Sequence, residues 1–373
     1  MDSRKAGSPT TIMPQGSEKR VGVLTFHRCI NYGSYWQARS LVEGLRARGH
    51  DAVLLDYASP VAETRVALRP TIPTPVPRED VRTYKQKVRK FEAAFARLPL
   101  SMPFCLAHPG GMEPMDTVVL GSDEVWNLRH PWFAGFPAFW GQGLNARRVV
   151  SYAASFGNYS CWEGIGVPCT DWLEGLDAIS VRDENSWWML KNALGRVVDT
   201  VLDPTLQFPL APEREWRGPE GPFALVYGHN MTSAFARSVR AWADRRGLPL
   251  LSLGYRNDWA DLQWLDAGPH DFAHAMVRAE AVATNFFHGC AFALREGKPF
   301  ACETSPYRSI KVRGLMELLG GLDRLVPNGE IGDRMDAPAD FASRLAELRA
   351  KSDAYLDRAL DGTPVRASAG SLL

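Results

Sequence analysis

No stretch of this chain of 373 residues approaches the roughly 20 consecutive apolar residues of a membrane-spanning helix, which excludes a protein built on helical spans. The opening MDSRKAGSPTTIMPQGSEKR lacks the apolar core of a secretory signal, and residues 1–19 are expected to be a disordered tail. An excess of one charge is missing as well. The chain carries 43 Lys and Arg against 42 Asp and Glu, which argues against a dedicated nucleic-acid binder, although local basic patches for a phosphorylated ligand stay open. The six cysteines, Cys29, Cys105, Cys161, Cys169, Cys290 and Cys302, form no C-x-x-C pair. They read as reduced thiols of a cytoplasmic protein rather than a disulfide scaffold. No cysteine cluster and no H-x-x-x-H pattern offers a metal site, so no metal is expected. There is no G-x-G-x-x-G, and therefore no case for NAD. Tryptophan is the abundant residue, with 12 copies; these read first as core and interface, and second as surfaces for stacking a sugar-like ligand.

What is present is alternation. RVGVLTFH (20–27) reads as a buried strand, SYWQARSLVEGLRARG (34–49) as a helix with Gly49 at its end, and DAVLLDY (51–57) as a strand. That βαβ unit implies a parallel sheet. A proline-rich excursion (58–80) and a helix (81–98) follow. Strand patterns then recur at DTVVLGSD (116–123), RRVVSYAASFG (147–157), AISVRDE (178–184) and VVDTVLDPT (197–205). The Pro/Gly-rich stretch 207–222 breaks the pattern, and a second alternation starts at FALVYGHN (223–230). An amphipathic helix (337–360) closes the chain. The expected fold is α/β and GT-B-like: two Rossmann-like domains (20–206 and 223–335) joined by 207–222 and facing across a cleft, with a closing helix and tail (336–373) crossing back to the first domain. Ligands of open α/β sheets bind at the carboxyl ends of the strands.

Several polar groups fall at such ends. The first βα junction holds Asn31, Tyr32, Gly33 and Ser34, where amides at a helix start can receive an anion and where Ser34 can equally be a plain N-cap. VVLGSDEVWN puts Ser122 and Asp123 at another strand end, with a structural turn as the alternative. Arg182 and Asp203 end two further strands. TNFFHGCAFALREGKPF (284–300) sets Asn285, His288 and Gly289 between an apolar strand and a helix. His288 is either a hydrogen-bonded core histidine or a group that gives and takes a proton near neutral pH. Lys298, Arg308, Lys311 and Arg313 supply cations downstream.

Taken together, NYGSYWQARSL, VVLGSDEVWN, SYAASFG, ISVRDENSWWMLKN, VLDPTL, FFHGCAFALREGKPF and IKVRGLMELLGGLDRLV resemble the polysaccharide pyruvyl transferase family, in the family's order and across about residues 21–327. The resemblance implies a GT-B-like fold and transfer of a pyruvyl group from phosphoenolpyruvate, as co-substrate, to two hydroxyls of a saccharide or lipid-linked saccharide precursor. Such an acceptor would bring peripheral membrane contact. The resemblance also implies His288 as the catalytic acid/base. Arg182, Arg308, Lys311, Ser34 and Gly33 would be the donor and anion site, and Asn31, Tyr32, Ser122, Asp123, Asn285 and Gly289 would line the cleft. Where related chains carry Asp followed by Ser or Arg before the histidine, this one has Asn285 and Phe286. A nucleotide-sugar glycosyltransferase of the same fold and a non-catalytic relative are the competing readings.

Overall fold

The computed structural model describes residues 19–58, 77–213, 215–304, 309–338 and 340–362. The first alternation gives β1 (Arg20–Leu24), α1 (Tyr32–Ala47), β2 (Asp51–Leu54), β3 (Tyr57–Ala58), α2 (Val81–Phe95), β4 (Phe104–Cys105), β5 (Met115–Leu120) and β6 (Ala146–Ser151). Four of these strands form a parallel sheet in the order β2-β1-β5-β6. The chain continues through α3 (Cys169–Glu174), β7 (Ser180–Val181), α4 (Glu184–Leu194), β8 (Asp199–Thr200) and the short α5 (Pro204–Gln207). The strands expected over 178–184 and 197–205 shrink to two residues each. Isolated bridges from Val150 to Ala178 and from Ala154 to Val181 carry the sheet on in fragments.

The second alternation gives β9 (Ala224–Tyr227), α6 (Ser233–Arg246), β10 (Leu250–Leu253), β11 (Leu262–Trp264), α7 (Pro269–Arg278), β12 (Ala281–Thr284), α8 (Phe287–Arg295), β13 (Phe300–Glu303), α9 (Ser309–Leu319) and β14 (Leu325–Val326). All six strands are parallel, in the order β11-β10-β9-β12-β13-β14. β9 and β12 are buried at every position, as a sheet covered on both faces requires. β11 and β14 are too short for any hydrophobic period, and the sequence pattern did not announce them.

The two sheets are separate, but their cores are continuous. One buried cluster runs from Leu41 and Leu45 of α1 to Phe272 of α7 and Phe292 of α8. Polar contacts pin the same seam: Trp36 Nε1 donates to Pro269 O at 2.9 Å, and Lys87 Nζ donates to Gly254 O at 2.9 Å. The last helix, α10 (Ala342–Asp361), returns to the first half. Tyr355 Oη donates to Ser151 O at 2.6 Å, and Ser352 Oγ accepts from Leu202 N at 2.9 Å. Two Rossmann-like parallel sheets with a returning C-terminal helix make the GT-B-like arrangement. No helix among the described residues is long and apolar enough to cross a membrane.

Candidate active site

The carboxyl edges of the two sheets meet where α1 begins. Asn31 caps that helix, its side chain accepting from Ser34 N at 3.2 Å. The helix therefore starts at Tyr32, a half-turn before the helix expected over 34–49, and this reassigns three residues. Tyr32 does not line the cleft. It is fully buried, stacked on Phe272 with ring centroids 4.8 Å apart, and its hydroxyl donates to Ala267 O at 2.7 Å. Ser34 is neither cap nor free anion donor: its Oγ donates to Asp123 Oδ2 at 2.8 Å. Gly33 turns its bare Cα toward His288, and a Cβ there would stand 1.9 Å from the ring's Nδ1.

Asp123 follows β5 with φ of 70°, a left-handed conformation that an aspartate tolerates better than most residues. Beside it Ser122 is buried and spent on structure: its hydroxyl bonds Gln37, and its carbonyl accepts from Thr25 Oγ1 at 2.8 Å. Arg182 lies between two buried carboxylates, 3.2 Å from Asp123 Oδ1 and 2.9 Å from Asp203 Oδ2, with its guanidinium 4.5 Å over the Phe287 ring. Only its Nε–H has no partner. The expected anion-binding arginine is thus an internal counter-ion, because removing two carboxylates from water demands a cation between them. Burial lowers the pKa of the guanidinium, but the two carboxylates outweigh it and raise that pKa.

His288 is the second residue of α8, inside the helix rather than ahead of it. Its side chain is 11 % exposed, and Nε2 stands 3.6 Å from Asp203 Oδ2, too long for a formed hydrogen bond. Asp203 caps α5, its Oδ1 accepting from Thr205 N at 3.0 Å and from Thr205 Oγ1 at 2.7 Å, so its position is fixed. Burial pushes the Asp203 carboxyl up, but the His288 ring and then the Arg182 guanidinium hold it well below the usual carboxylate range. Asn285, expected to line the cleft, is buried, and its Nδ2 donates to His229 O at 2.9 Å. Gly289 gives no room to a ligand either. A Cβ there would meet Thr284 Oγ1 at 2.0 Å, so the glycine serves strand-to-helix packing.

Lys311 reaches across from α9 to Glu124 Oε1 at 3.0 Å, tying the second half to the first. Burial raises the Glu124 pKa, but Lys311 more than offsets it. Arg308 lies outside the described residues. Lys298 and Arg313 do not join this rim: Lys298 shares a pocket with Glu280, Arg246 and Asp336 at the amino-terminal edge of the second sheet, and Arg313 pairs with Glu317 at 2.7 Å on an exposed helix face. Among the described residues the site therefore sets two cations, Arg182 and Lys311, against three carboxylates, Asp123, Glu124 and Asp203. Sequence reasoning marked Asp203 as a strand-end residue but not as the partner of His288, and it passed over Glu124 altogether. Their adjacency to Arg182 and Lys311 exists only in the folded chain.

Such a site, one histidine over a buried carboxylate where the carboxyl edges of two parallel sheets meet, suits proton transfer. Among solved structures the chain is similar to a UDP-GlcNAc 2-epimerase from Neisseria meningitidis bound to UDP-GlcNAc, at 9% identity and a TM-score of 0.46, with 94% of this chain and 95% of that one covered. It is also similar to a glycosyltransferase from Streptomyces nogalater, at 13% identity and a TM-score of 0.40, with 92% and 98% covered. No match was found among curated proteins. The family model for polysaccharide pyruvyl transferase matches residues 31–305, from the cap of α1 to just past β13, a span that holds Gly33, Asp123, Arg182, Asp203 and His288. The chain belongs to the polysaccharide pyruvyl transferase family.

Proposed function

We propose that this transferase moves the pyruvyl group of phosphoenolpyruvate onto two hydroxyls of a saccharide acceptor, forming a cyclic ketal, with His288 as the acid/base. One sugar hydroxyl attacks C2 while C3 takes a proton and becomes a methyl group. The C2–O bond to phosphate then breaks, and the second hydroxyl closes the ring on C2. Of the two hydroxyl protons, one is balanced by the new methyl hydrogen and the other leaves with phosphate. The observation that carries this reading is the His288 ring set on the bare Cα of Gly33 with Nε2 toward Asp203, in a chain of this family. A carboxylate held ionised at that distance orients the ring and stabilises an imidazolium once it forms. The reaction needs no metal or organic cofactor, and a cytoplasmic location gives it phosphoenolpyruvate.

The donor brings nearly three negative charges to a site with more carboxylates than cations. Further positive charge must therefore reach the donor, and Arg308 is the residue we assign to it. Arg308→Ala should raise the KM for phosphoenolpyruvate at least tenfold, about the loss of one charge-assisted pair. The test of the activity is phosphate release from phosphoenolpyruvate against a panel of free and lipid-linked saccharides. Acceptor-dependent release supports the reading. Protection against thermal unfolding by a nucleotide-sugar, with none by phosphoenolpyruvate, would replace it with glycosyl transfer.

A further inference from the structure

Among the described residues, Trp162 is the large apolar side chain most open to solvent, at 90 % exposure. The other tryptophans that the sequence left between core and ligand stacking do not stand out in this way; Trp36, Trp126 and Trp140 are fully buried. Trp162 is not displayed by a loose segment. Its turn, Cys161–Glu163, is held at its start by a capping box, with Trp162 N donating to Ser160 Oγ at 3.3 Å and Ser160 N donating to Glu163 Oε1 at 3.3 Å. Tyr159 Oη donates to Gly164 O at 3.0 Å, closing the turn from behind. Asn185 clamps it from outside, its Oδ1 accepting from Cys161 N at 2.8 Å and its Nδ2 donating to Tyr159 O at 2.9 Å. The polar bonds hold the turn while the ring lies open, so the ring contributes nothing to the fold that would explain its being there.

The turn is joined to the candidate site at two points. Asn185 is the second residue of α4, three positions after Arg182. Gly157, where the segment leaves the first sheet, packs so close to Glu124 that a Cβ would come within 2.1 Å of its Oε2. Glu124 is the partner of Lys311. The turn that carries Trp162 is thus tied to the segments that leave the same carboxyl edge.

Its surroundings choose the partner. Glu163 pairs with Arg129, and the Arg129 guanidinium lies 5.6 Å over the Tyr159 ring. A bilayer would have to bury that ion pair, whereas a polyhydroxylated ligand can hydrogen-bond to it while laying a C–H face on the indole. We propose that Trp162 is a stacking platform for the acceptor. It would hold a sugar unit other than the one that receives the pyruvyl group. This rests on the saccharide acceptor proposed above.

The test uses the full chain labelled with 5-fluorotryptophan, with the Trp162 resonance identified by its loss in Trp162→Phe. Methyl glycosides, disaccharides and trisaccharides of galactose, mannose, glucose and N-acetylglucosamine are titrated, followed by phosphatidylglycerol vesicles. A disaccharide or trisaccharide should shift the Trp162 resonance where its methyl monoglycoside does not. Its dissociation constant should rise about five- to tenfold in Trp162→Ala, the size of one aromatic stacking contact, while thermal protection by phosphoenolpyruvate stays unchanged. A resonance that no saccharide moves, or that moves only with vesicles, overturns the proposal. Loss of phosphoenolpyruvate turnover in the wild type would instead strike the ketal-forming reading and leave the Trp162 result standing.

Discussion

At the carboxyl edge of the first sheet, Asp123, Arg182 and Asp203 are buried and bonded to one another, with Glu124 and Ser34 completing the network. At the carboxyl edge of the second sheet the neighbours are rings. Phe286 lies 4.9 Å from Tyr227 and 5.4 Å from Tyr255, and Phe287 lies under Arg182. From that side His288 and Lys311 reach carboxylates of the first half. One half lays down a fixed electrostatic frame; the other brings His288 and Lys311 to it. Neither edge holds the whole network alone, and the continuous core is what brings the two together.

The strongest way to break this division is to remove the charge at its centre. Arg182→Met keeps the bulk of the side chain but strands two buried carboxylates. It should cost about 3–5 kcal/mol in urea unfolding and abolish turnover, because breaking a buried pair leaves uncompensated charge. Adding Asp203→Asn should recover part of the stability and none of the activity. Full stability in the single variant would show that solvent already reaches the pair.

A smaller change separates position from charge. In Gly33→Ala, the new methyl must displace the His288 ring, lowering turnover roughly 10²-fold, as a shift of about 1 Å in a catalytic group can. Overpacking would cost about 1–3 kcal/mol, partly offset by the better helix propensity of alanine. Loss of activity with little loss of stability, read by kcat and thermal unfolding together, marks the glycine as a seat for the ring.

The smallest effect sharpens the contrast between the two kinds of buried cation. Arg182 sits among carboxylates, whereas the neighbours of buried Lys87 among the described residues are Gly254 O and the rings of Tyr32, Tyr84 and Tyr255. Burial lowers the Lys87 pKa to about 7. Its pKa is lower in the folded chain than in the unfolded one, so between about pH 7 and the ordinary lysine value the unfolded chain holds the extra proton. Stability attributable to this group must then rise with pH across that window. Lys87→Met should be the more stable form at pH 7, with its advantage shrinking by up to about 1.4 kcal/mol per pH unit as pH rises toward 10. A difference that does not vary with pH in urea titrations would mean that Lys87 stays charged.

Much of this was legible in the sequence because it is local. Periods of apolar residues gave both alternations, and the Pro/Gly-rich stretch 207–222 falls between the two sheets. His288 stood out because an ionisable ring in an apolar strand-to-helix junction is costly unless used. What the sequence hid is non-local. Arg182 reads as a cation at a strand end, and only the fold brings Asp123 and Asp203 to it. Gly33 reads as a turn residue, yet its neighbour is a ring from the other half. Tyr32 was misread for a local reason: Asn31 takes the cap with its own side chain, so the helix begins earlier and Tyr32 rotates into the core.

The central claim is that His288 moves protons rather than filling space, and His288→Asn tests it most directly. Phosphate release from phosphoenolpyruvate should fall at least about 10²-fold, as when a general acid/base is lost. The folded state should lose at most about 1–2 kcal/mol, the worth of one hydrogen bond. Turnover near the wild-type rate, or a chain that no longer folds, would contradict the account and return His288 to the core.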